Sequence, residues 1–432
     1  MGSGKSRGMS NIILAVLIVL IVISGVGGYY AGYNSGYQAG SSGMSEVRQE
    51  GYKEGYDKGY TEGYQAAMKE VAPVLPNEIK IGCILSLSGD LGPMGQEILK
   101  GVKLAVEEVN ARGGIRGRPI KLIVEDDETS DQKAVEVAKK LVEVDGVQVI
   151  IGPMTSGSLR AIGKYVNEKK VVTISPTATA PYITTLFPDD YVFRTVGSDT
   201  LQGKALADII AKRGYKRVVT LVLNNPYGVG IEEEAKKIIS DRIVLSIRYD
   251  PSKMDFRSEL EQVKAANPDC VLFVGYYQSG KVMFRQALEL GLQSITWVCA
   301  EGVYGEPMFE DPMAAEFMSI ACIGTRPVAP IGSPSYELFA KKFKEKYGEE
   351  PPMYADTAYD ATMMAIMAIA YCGNYSGPAI REALKVISQT YIGATGYKIF
   401  DENGDQYLQT YEIWGVVRED GKYKFVNIGY WP

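Results

Sequence analysis

The chain has no histidine in its 432 residues. That absence removes Ser-His and Cys-His nucleophile pairs, the HExxH zinc motif and any histidine proton switch. Cysteine is sparse and scattered at 83, 270, 299, 322 and 372, without a CxxC spacing, so zinc and redox-dyad readings fail. Cys83 and Cys270 fall at or inside apolar strand patterns and read as small buried hydrophobes, whereas one pair among the rest could bridge outside the cell. No basic stripe occurs beyond the first few residues, and a net charge of −6 argues against nucleic acid as a partner. No suitable GxGxxG exists; Gly89, Gly92 and Gly95 resemble a dinucleotide loop only loosely. Ser130-Asp131-Gln132-Lys133 matches SxxK without a supporting motif, and Gly2–Ser6 lacks the first glycine and the strand of a P-loop. The expectation is a protein with no catalytic residue, no cofactor and no metal site, and not an enzyme.

What is present is a repeated unit. From Glu78 onward a short β-branched run ends in a Gly/Ser/Pro/Thr loop and a helix-patterned stretch follows. The best copies are Ile79–Leu87 then SGDLGPMG, Val147–Ile151 then GPMTSGS, and Val171–Ile174 then SPTATAP. Strand–loop–helix repetition builds parallel sheets, which bind small molecules at the carboxyl ends of their strands. Hydroxyl-rich loops that lead into helices offer free N–H groups to an anion. Further strands are expected at Ile120–Glu125 and Val192–Val196, and a second series at Arg217–Leu223, Ile243–Tyr249, Cys270–Val274 and Ile295–Cys299. A hairpin-like stretch at Tyr397–Trp414, turning at Asp401–Asp405, closes the chain. Asp401, Asn403 and Asp405 have the oxygen spacing of an EF-hand loop, but the glycine is misplaced, so a β-turn is the better account. Two α/β series imply two lobes with a ligand cleft between them, and 46% hydrophobic content is enough to give both a core.

The N-terminus addresses the membrane. Lys5 and Arg7 precede Ile12–Ile23, a run with no charged or polar residue. With Ser24–Tyr30 it approaches the roughly 20 residues that span a bilayer, and its basic flank places the start inside the cell. The expectation is a cytoplasmic start at 1–10 and a transmembrane anchor at 11–30, with a cleaved signal peptide as the alternative. Residues 31–77 form a Gly/Tyr-repeat stalk, with glycine every four residues in two blocks and tyrosine after most of them. It reads as a solvated spacer or as helices that pair through a glycine face, which would give self-association.

Several runs together resemble the type 1 periplasmic binding proteins, specifically the leucine/isoleucine/valine-binding family that serves ABC importers. They are IGCILSLSGDLGPMG, NARGGIRGRPIKLIVEDD, VIIGPMTSGS and SPTATAPYIT, followed by NNPYGVG, FVGYYQSG, AEGVYG and GYKIFDENGD. The resemblance covers roughly residues 78–432. It implies an α/β fold of two doubly wound lobes joined by three hinge crossovers, with 78–198 and 326–391 in lobe 1 and 199–325 and 392–432 in lobe 2. It implies an amino-acid-like ligand between the lobes. Ser156 matches the serine on the α-carboxylate, Thr177 a backbone contact, and Thr179 a threonine touching both charged ends. Glu301 matches the acid that receives the ammonium, Tyr276 an aromatic hydroxyl beside it, and Tyr227 a tyrosine of the side-chain region. Met94 stands where the family carries an aromatic residue, and Thr129 and Thr155 stand where it has a disulfide. The implied function is extracytoplasmic capture of a branched-chain or related amino acid by hinge closure, at the cell membrane. The implied partners are an ABC permease, its ATPase and the membrane itself through the N-terminal helix. A ligand-sensing ectodomain or an amide/urea-type binder of the same fold is the alternative.

Overall fold

Residues 75–186 and 191–431 are described in the computed structural model of the chain. The expected start at 1–10, the anchor at 11–30 and all but the last three residues of the stalk at 31–77 lie outside the described residues. Among the described residues no helix is long and apolar enough to cross a membrane.

The first sheet holds β1 (Ile79–Leu85), β2 (Ile120–Asp126), β3 (Val149–Ile151), β4 (Val172–Ser175) and β5 (Val192–Arg194). They are parallel, in the order β2-β1-β3-β4-β5. β3 and β4 are buried throughout and β1 almost so, which is why these strands read as apolar runs rather than alternations. The connecting helices are α1 (Gly92–Ala111), α2 (Asp131–Lys139) and α3 (Ser156–Lys169). Two glycines let the strand ends crowd together. A Cβ on Gly152, whose φ is +106°, would stand 1.9 Å from the Ile84 carbonyl oxygen, and one on Gly95 would stand 1.9 Å from that of Ser86. The loops GDLGPMG and GPMTSGS are therefore held side by side at one end of the sheet.

The second lobe starts with α4 (Asp199–Lys212) and continues through β6 (Val218–Leu223), α5 (Pro226–Ile239), β7 (Ile243–Tyr249), α6 (Arg257–Ala266), β8 (Cys270–Val274) and α7 (Tyr277–Glu289). It ends with β9 (Thr296–Cys299), α8 (Pro312–Ala321) and β10 (Cys322–Val328), which runs through the expected boundary at 325/326. Phe273, Phe284, Trp297 and Phe317 pack in mutual contact as its core, with ring centroids 5.0 to 5.8 Å apart. The chain then returns to the first lobe as α9 (Pro334–Tyr347), α10 (Ala355–Cys372) and α11 (Gly377–Ser388). α10 is buried over most of its length and lies so close to α1 that a Cβ on Gly101 would meet the Ala355 carbonyl at 2.1 Å. A short ribbon of β11 (Ile392–Gly393) and β12 (Gly396–Tyr397) precedes the last return to the second sheet. There β13 (Thr410–Glu419) and β14 (Lys422–Trp431) add an antiparallel pair beside β10, giving the order β14-β13-β10-β9-β8-β6-β7.

The closing hairpin is thus not where the sequence placed it. Asp401–Asp405 is a turn: the Asp401 carboxylate accepts the N–H groups of Asn403 and Asp405 at 2.8 and 3.0 Å. It is flanked only by a single bridge between Phe400 and Gln406. The true hairpin turns at Asp420-Gly421, both at positive φ. All five cysteines are free thiols, so no bridge forms.

Three chain segments link the lobes, and they are tied together. Gln409 accepts from the Gly197 N–H at 3.3 Å and donates to the Val328 carbonyl at 3.1 Å, so one side chain touches all three. Arg194, fully buried, pairs with Asp405, and the Lys398 ammonium donates to the Thr195 carbonyl at 2.7 Å.

Candidate functional site

A small, narrow cavity lies between the two lobes. Six of the seven residues singled out in the sequence line it: Met94, Ser156, Thr177, Tyr227, Tyr276 and Glu301. Thr179 does not reach its wall. It lies behind, where its carbonyl accepts the Asp199 N–H at 2.8 Å.

On the first lobe the wall is made by strand-end loops. Thr155 caps α3: its hydroxyl accepts the Ser158 N–H at 3.0 Å and leaves Ser156 in the first turn, where main-chain N–H groups have no helical partner. The Ser156 hydroxyl accepts from the Ala180 N–H at 3.1 Å, so its own proton stays available to a ligand. The Thr177 hydroxyl instead donates to the Met154 carbonyl at 2.7 Å, which leaves its main-chain N–H as the donor it can offer a ligand. The two threonines that replace a disulfide have separate work. Thr129 accepts from the Leu91 N–H at 3.1 Å and donates to the Ser88 carbonyl at 3.0 Å, tying the loop that carries Leu91 and Met94.

On the second lobe the wall is acidic and aromatic. Glu301, at the end of β9, is 4% exposed. One of its oxygens accepts from Gln202 at 2.5 Å and the other from the Tyr354 hydroxyl at 3.2 Å, the latter bond crossing the cleft. Asp199, in the first turn of α4, is fully buried behind Glu301, with the Thr179 hydroxyl as its side-chain hydrogen-bond partner. Burial pushes the Asp199 carboxyl well above the usual range, and the charge of Glu301 pushes it further. Burial likewise raises Glu301, against the hydrogen bonds from Gln202 and Tyr354. Tyr227 and Tyr276 stack with ring centroids 5.5 Å apart, and with Tyr354 they remain neutral phenols because burial raises all three.

Sequence reasoning missed Asp199, Gln202 and Tyr354, and the apolar wall residues Leu91 and Met154. Leu91 and Met154 sit inside the loops SGDLGPMG and GPMTSGS. Asp199 reads as an ordinary acid of a helix's first turn, and Tyr354, a non-glycine at φ +70°, carries no sequence signal. Chemically, the cavity offers N–H and O–H donors at one end. At the other it offers the Glu301 carboxylate beside aromatic faces, with the Asp199 carboxyl buried behind it.

The family described as periplasmic binding protein matches residues 78–421. The leucine-, isoleucine-, valine-, threonine-, and alanine-binding protein of Pseudomonas aeruginosa is 30% identical over 332 residues, covering 76% of this chain and 87% of its own. Among solved structures, the branched-chain amino acid transporter substrate binding protein LivJ from Streptococcus pneumoniae, in complex with isoleucine, is 27% identical with a TM-score of 0.71. That match covers 81% of this chain and 99% of the other. A solute binding protein of an ABC transporter from Rhodopseudomonas palustris, in complex with 3,4-dihydroxy benzoic acid, shares the fold with a TM-score of 0.69 at 22% identity, over 82% and 98% of the two chains. The chain belongs to the periplasmic binding proteins, in the type 1 leucine/isoleucine/valine-binding family.

Proposed function

We propose that this solute-binding protein of the ABC-transporter type holds an aliphatic amino acid as its zwitterion in the interlobe cavity. The ligand's carboxylate meets Ser156, the N-terminus of α3 and the Thr177 main chain. Its ammonium is shared by Glu301 and Asp199 with Tyr276 beside it, and Thr179 steadies Asp199 from behind. Met94, Leu91, Met154 and Tyr227 enclose the side chain. The lobes, 78–198 with 326–391 and 199–325 with 392–432, close on it, because each end of the ligand is held by a different lobe. The anchor at 11–30 and the stalk at 31–77 keep the trap at the outer membrane face, near a permease and its ATPase.

One observation carries this reading. The fully buried Asp199 carboxyl lies beside the buried Glu301 carboxyl with only the Thr179 hydroxyl to hydrogen-bond it, and the Gln202 carbonyl next to Glu301 lacks a partner among the described residues. Buried polar groups in native proteins are nearly always paired, so this cluster calls for a guest that brings positive charge and N–H donors. The P. aeruginosa relative is named for binding leucine, isoleucine, valine, threonine and alanine, and LivJ was solved with isoleucine. Both support an amino acid. The Glu301 carboxylate in the wall, with Asp199 behind it, also disfavours the arene carboxylate seen in the R. palustris neighbour.

Calorimetry on the full chain tests the assignment. L-isoleucine, L-leucine, L-valine and L-alanine are compared with isoamylamine, 4-methylvalerate and benzoate. An amino acid is expected to bind at about micromolar strength, near −8 kcal/mol. Each analogue that lacks one charged end is expected to bind at least about 100-fold more weakly. Tighter binding of benzoate or 4-methylvalerate than of every amino acid would overturn it.

A further inference from the structure

The mouth of the cleft carries a contact that the ligand cavity does not use. Asp90 sits in the loop between β1 and α1, on the first lobe. Its Oδ1 accepts the main-chain N–H of Gln278 at 2.6 Å. Gln278 lies in the first turn of α7, on the second lobe, and the bond joins residues 188 apart in sequence.

The first turn of α7 needs such a partner. Its N-cap position is Tyr276, whose side chain makes no capping hydrogen bond. Tyr276 cannot take that role, because its ring stacks on Tyr227 at the cavity wall and its hydroxyl is paired with Asn225 at 3.5 Å. A tyrosine at the ligand wall has displaced the Ser, Thr, Asp or Asn that normally caps a helix in its own chain segment. The carboxylate from the other lobe satisfies the orphan N–H, and it brings a negative charge to the positive end of the helix. Asp90 lines the vestibule outside Tyr276 and Thr155 and does not line the ligand cavity. Burial against the second lobe raises its carboxyl to about 6, while the Gln278 N–H and Lys281 oppose that rise.

We propose that Asp90 is a closure latch: it caps helix Tyr277–Glu289 across the cleft only when the lobes are shut, and so sets how long the guest is held without touching it. Opening the lobes separates the two groups and leaves the helix uncapped. The capping bond is thus a differential interaction with the closed state, which is the requirement for shifting an opening equilibrium. Asp90 is a positioning residue, and its role rests on the reading that the lobes close around a ligand.

The test uses the full chain with dyes on the two lobes and single-molecule energy transfer. In the ligand-free protein, Asp90→Ala is expected to lower the closed fraction by about tenfold, the scale of a lost N-terminal cap. Asp90→Asn keeps an acceptor and is expected to restore most of it. With L-isoleucine, Asp90→Ala is expected to raise the dissociation rate by a similar factor, with association and the ranking of amino acids unchanged. An unchanged closed fraction in Asp90→Ala overturns the latch, as does Asp90→Asn behaving like Asp90→Ala. An altered amino-acid ranking overturns it too, by making Asp90 a ligand contact. If no amino acid binds at all, the proposed function fails, while the ligand-free closed fraction still decides the latch.

Discussion

The two walls of the cavity are built on opposite principles. The first lobe presents groups that are already satisfied and still have something to give. Ser156 accepts one hydrogen bond and keeps its proton free, and the first turn of α3 holds unpaired N–H groups that its fold makes unavoidable. The second side holds two buried carboxyls next to each other. Asp199 is fully buried beside a second buried carboxyl, with the Thr179 hydroxyl as its side-chain hydrogen-bond partner. One wall therefore loses little when the ligand leaves; in the other, desolvation and mutual repulsion hold the carboxyls toward their protonated forms until a cation favours ionisation. For the zwitterion proposed above, selectivity would be stored on the side that carries the paired acids.

The largest expected effect breaks that wall. Glu301→Gln and Asp199→Asn should each weaken L-isoleucine by about 2–5 kcal/mol, the range for truncating one side of a buried charge pair. Asp199→Asn should at the same time stabilise the ligand-free fold, because it removes a buried carboxylate that sits next to another. Paired calorimetry and thermal unfolding check both halves, and a destabilised empty protein would make Asp199 structural. The pH dependence follows the same logic. Both carboxyls are raised in the empty site, and an ammonium guest favours their ionised forms, so binding releases protons. Affinity should hold above the raised values and fall as pH drops through them. In the ligand-free protein the sign reverses. A raised folded-state value means that the fold binds protons more tightly than the unfolded chain, so its stability declines as pH rises from the ordinary carboxylate range to the raised one. Calorimetry in buffers of different ionisation enthalpy measures the released protons directly.

A smaller effect is expected from the satisfied wall. Ser156→Ala removes one donor and leaves the main-chain N–H groups of α3 in place, so affinity should fall by about 1.5–3 kcal/mol, the worth of a hydrogen bond to a charged group. Its loss is a matter of one bond and carries no proton release, which distinguishes it from the acid variants. A proton-linked loss in Ser156→Ala would merge the two walls into one network.

The asymmetry also explains what was legible in the sequence. The first wall is a loop pattern: strand, hydroxyl-rich turn and helix start are adjacent in sequence, and GPMTSGS announces its own chemistry. β1 and β2 were expected within two residues of where they run, at Ile79–Leu85 and Ile120–Asp126, because their apolar runs need no tertiary knowledge. The second wall is assembled from distant pieces. Glu301 could be read at a strand end, but Asp199, Gln202 and Tyr354 meet it only through the hinge crossovers, and nothing in the residues around Asp199 distinguishes a buried first-turn acid from an exposed one. The misplaced hairpin has a similar cause. DENGD is the denser turn signal, yet its Asp401 closes on the neighbouring N–H groups, and Asp405 is drawn away to Arg194. The plainer Asp420-Gly421 has the two positive φ values that a two-residue hairpin needs.

The smallest expected effect tests how the apolar end is held. Thr129, at φ +58°, makes two hydrogen bonds to the loop bearing Leu91 and Met94, at a place where the family resemblance puts a disulfide that this chain's threonines cannot form. Thr129→Val keeps the branched shape and removes both bonds. It should destabilise the fold by about 1 kcal/mol, the typical net worth of a hydrogen bond. Neither charged contact of the ligand depends on Thr129, so affinity for L-alanine should barely move. L-isoleucine, which reaches the loop, should bind a few times more weakly, and the ratio between the two should narrow in side-by-side calorimetry. The same loop is also fixed through Asp126, which accepts from the Leu87 N–H at 2.8 Å and from the Ser88 hydroxyl at 2.7 Å. An unchanged ratio in Thr129→Val would therefore move the restraint on the side-chain pocket from Thr129 to Asp126, and Asp126→Ala should then narrow the ratio instead.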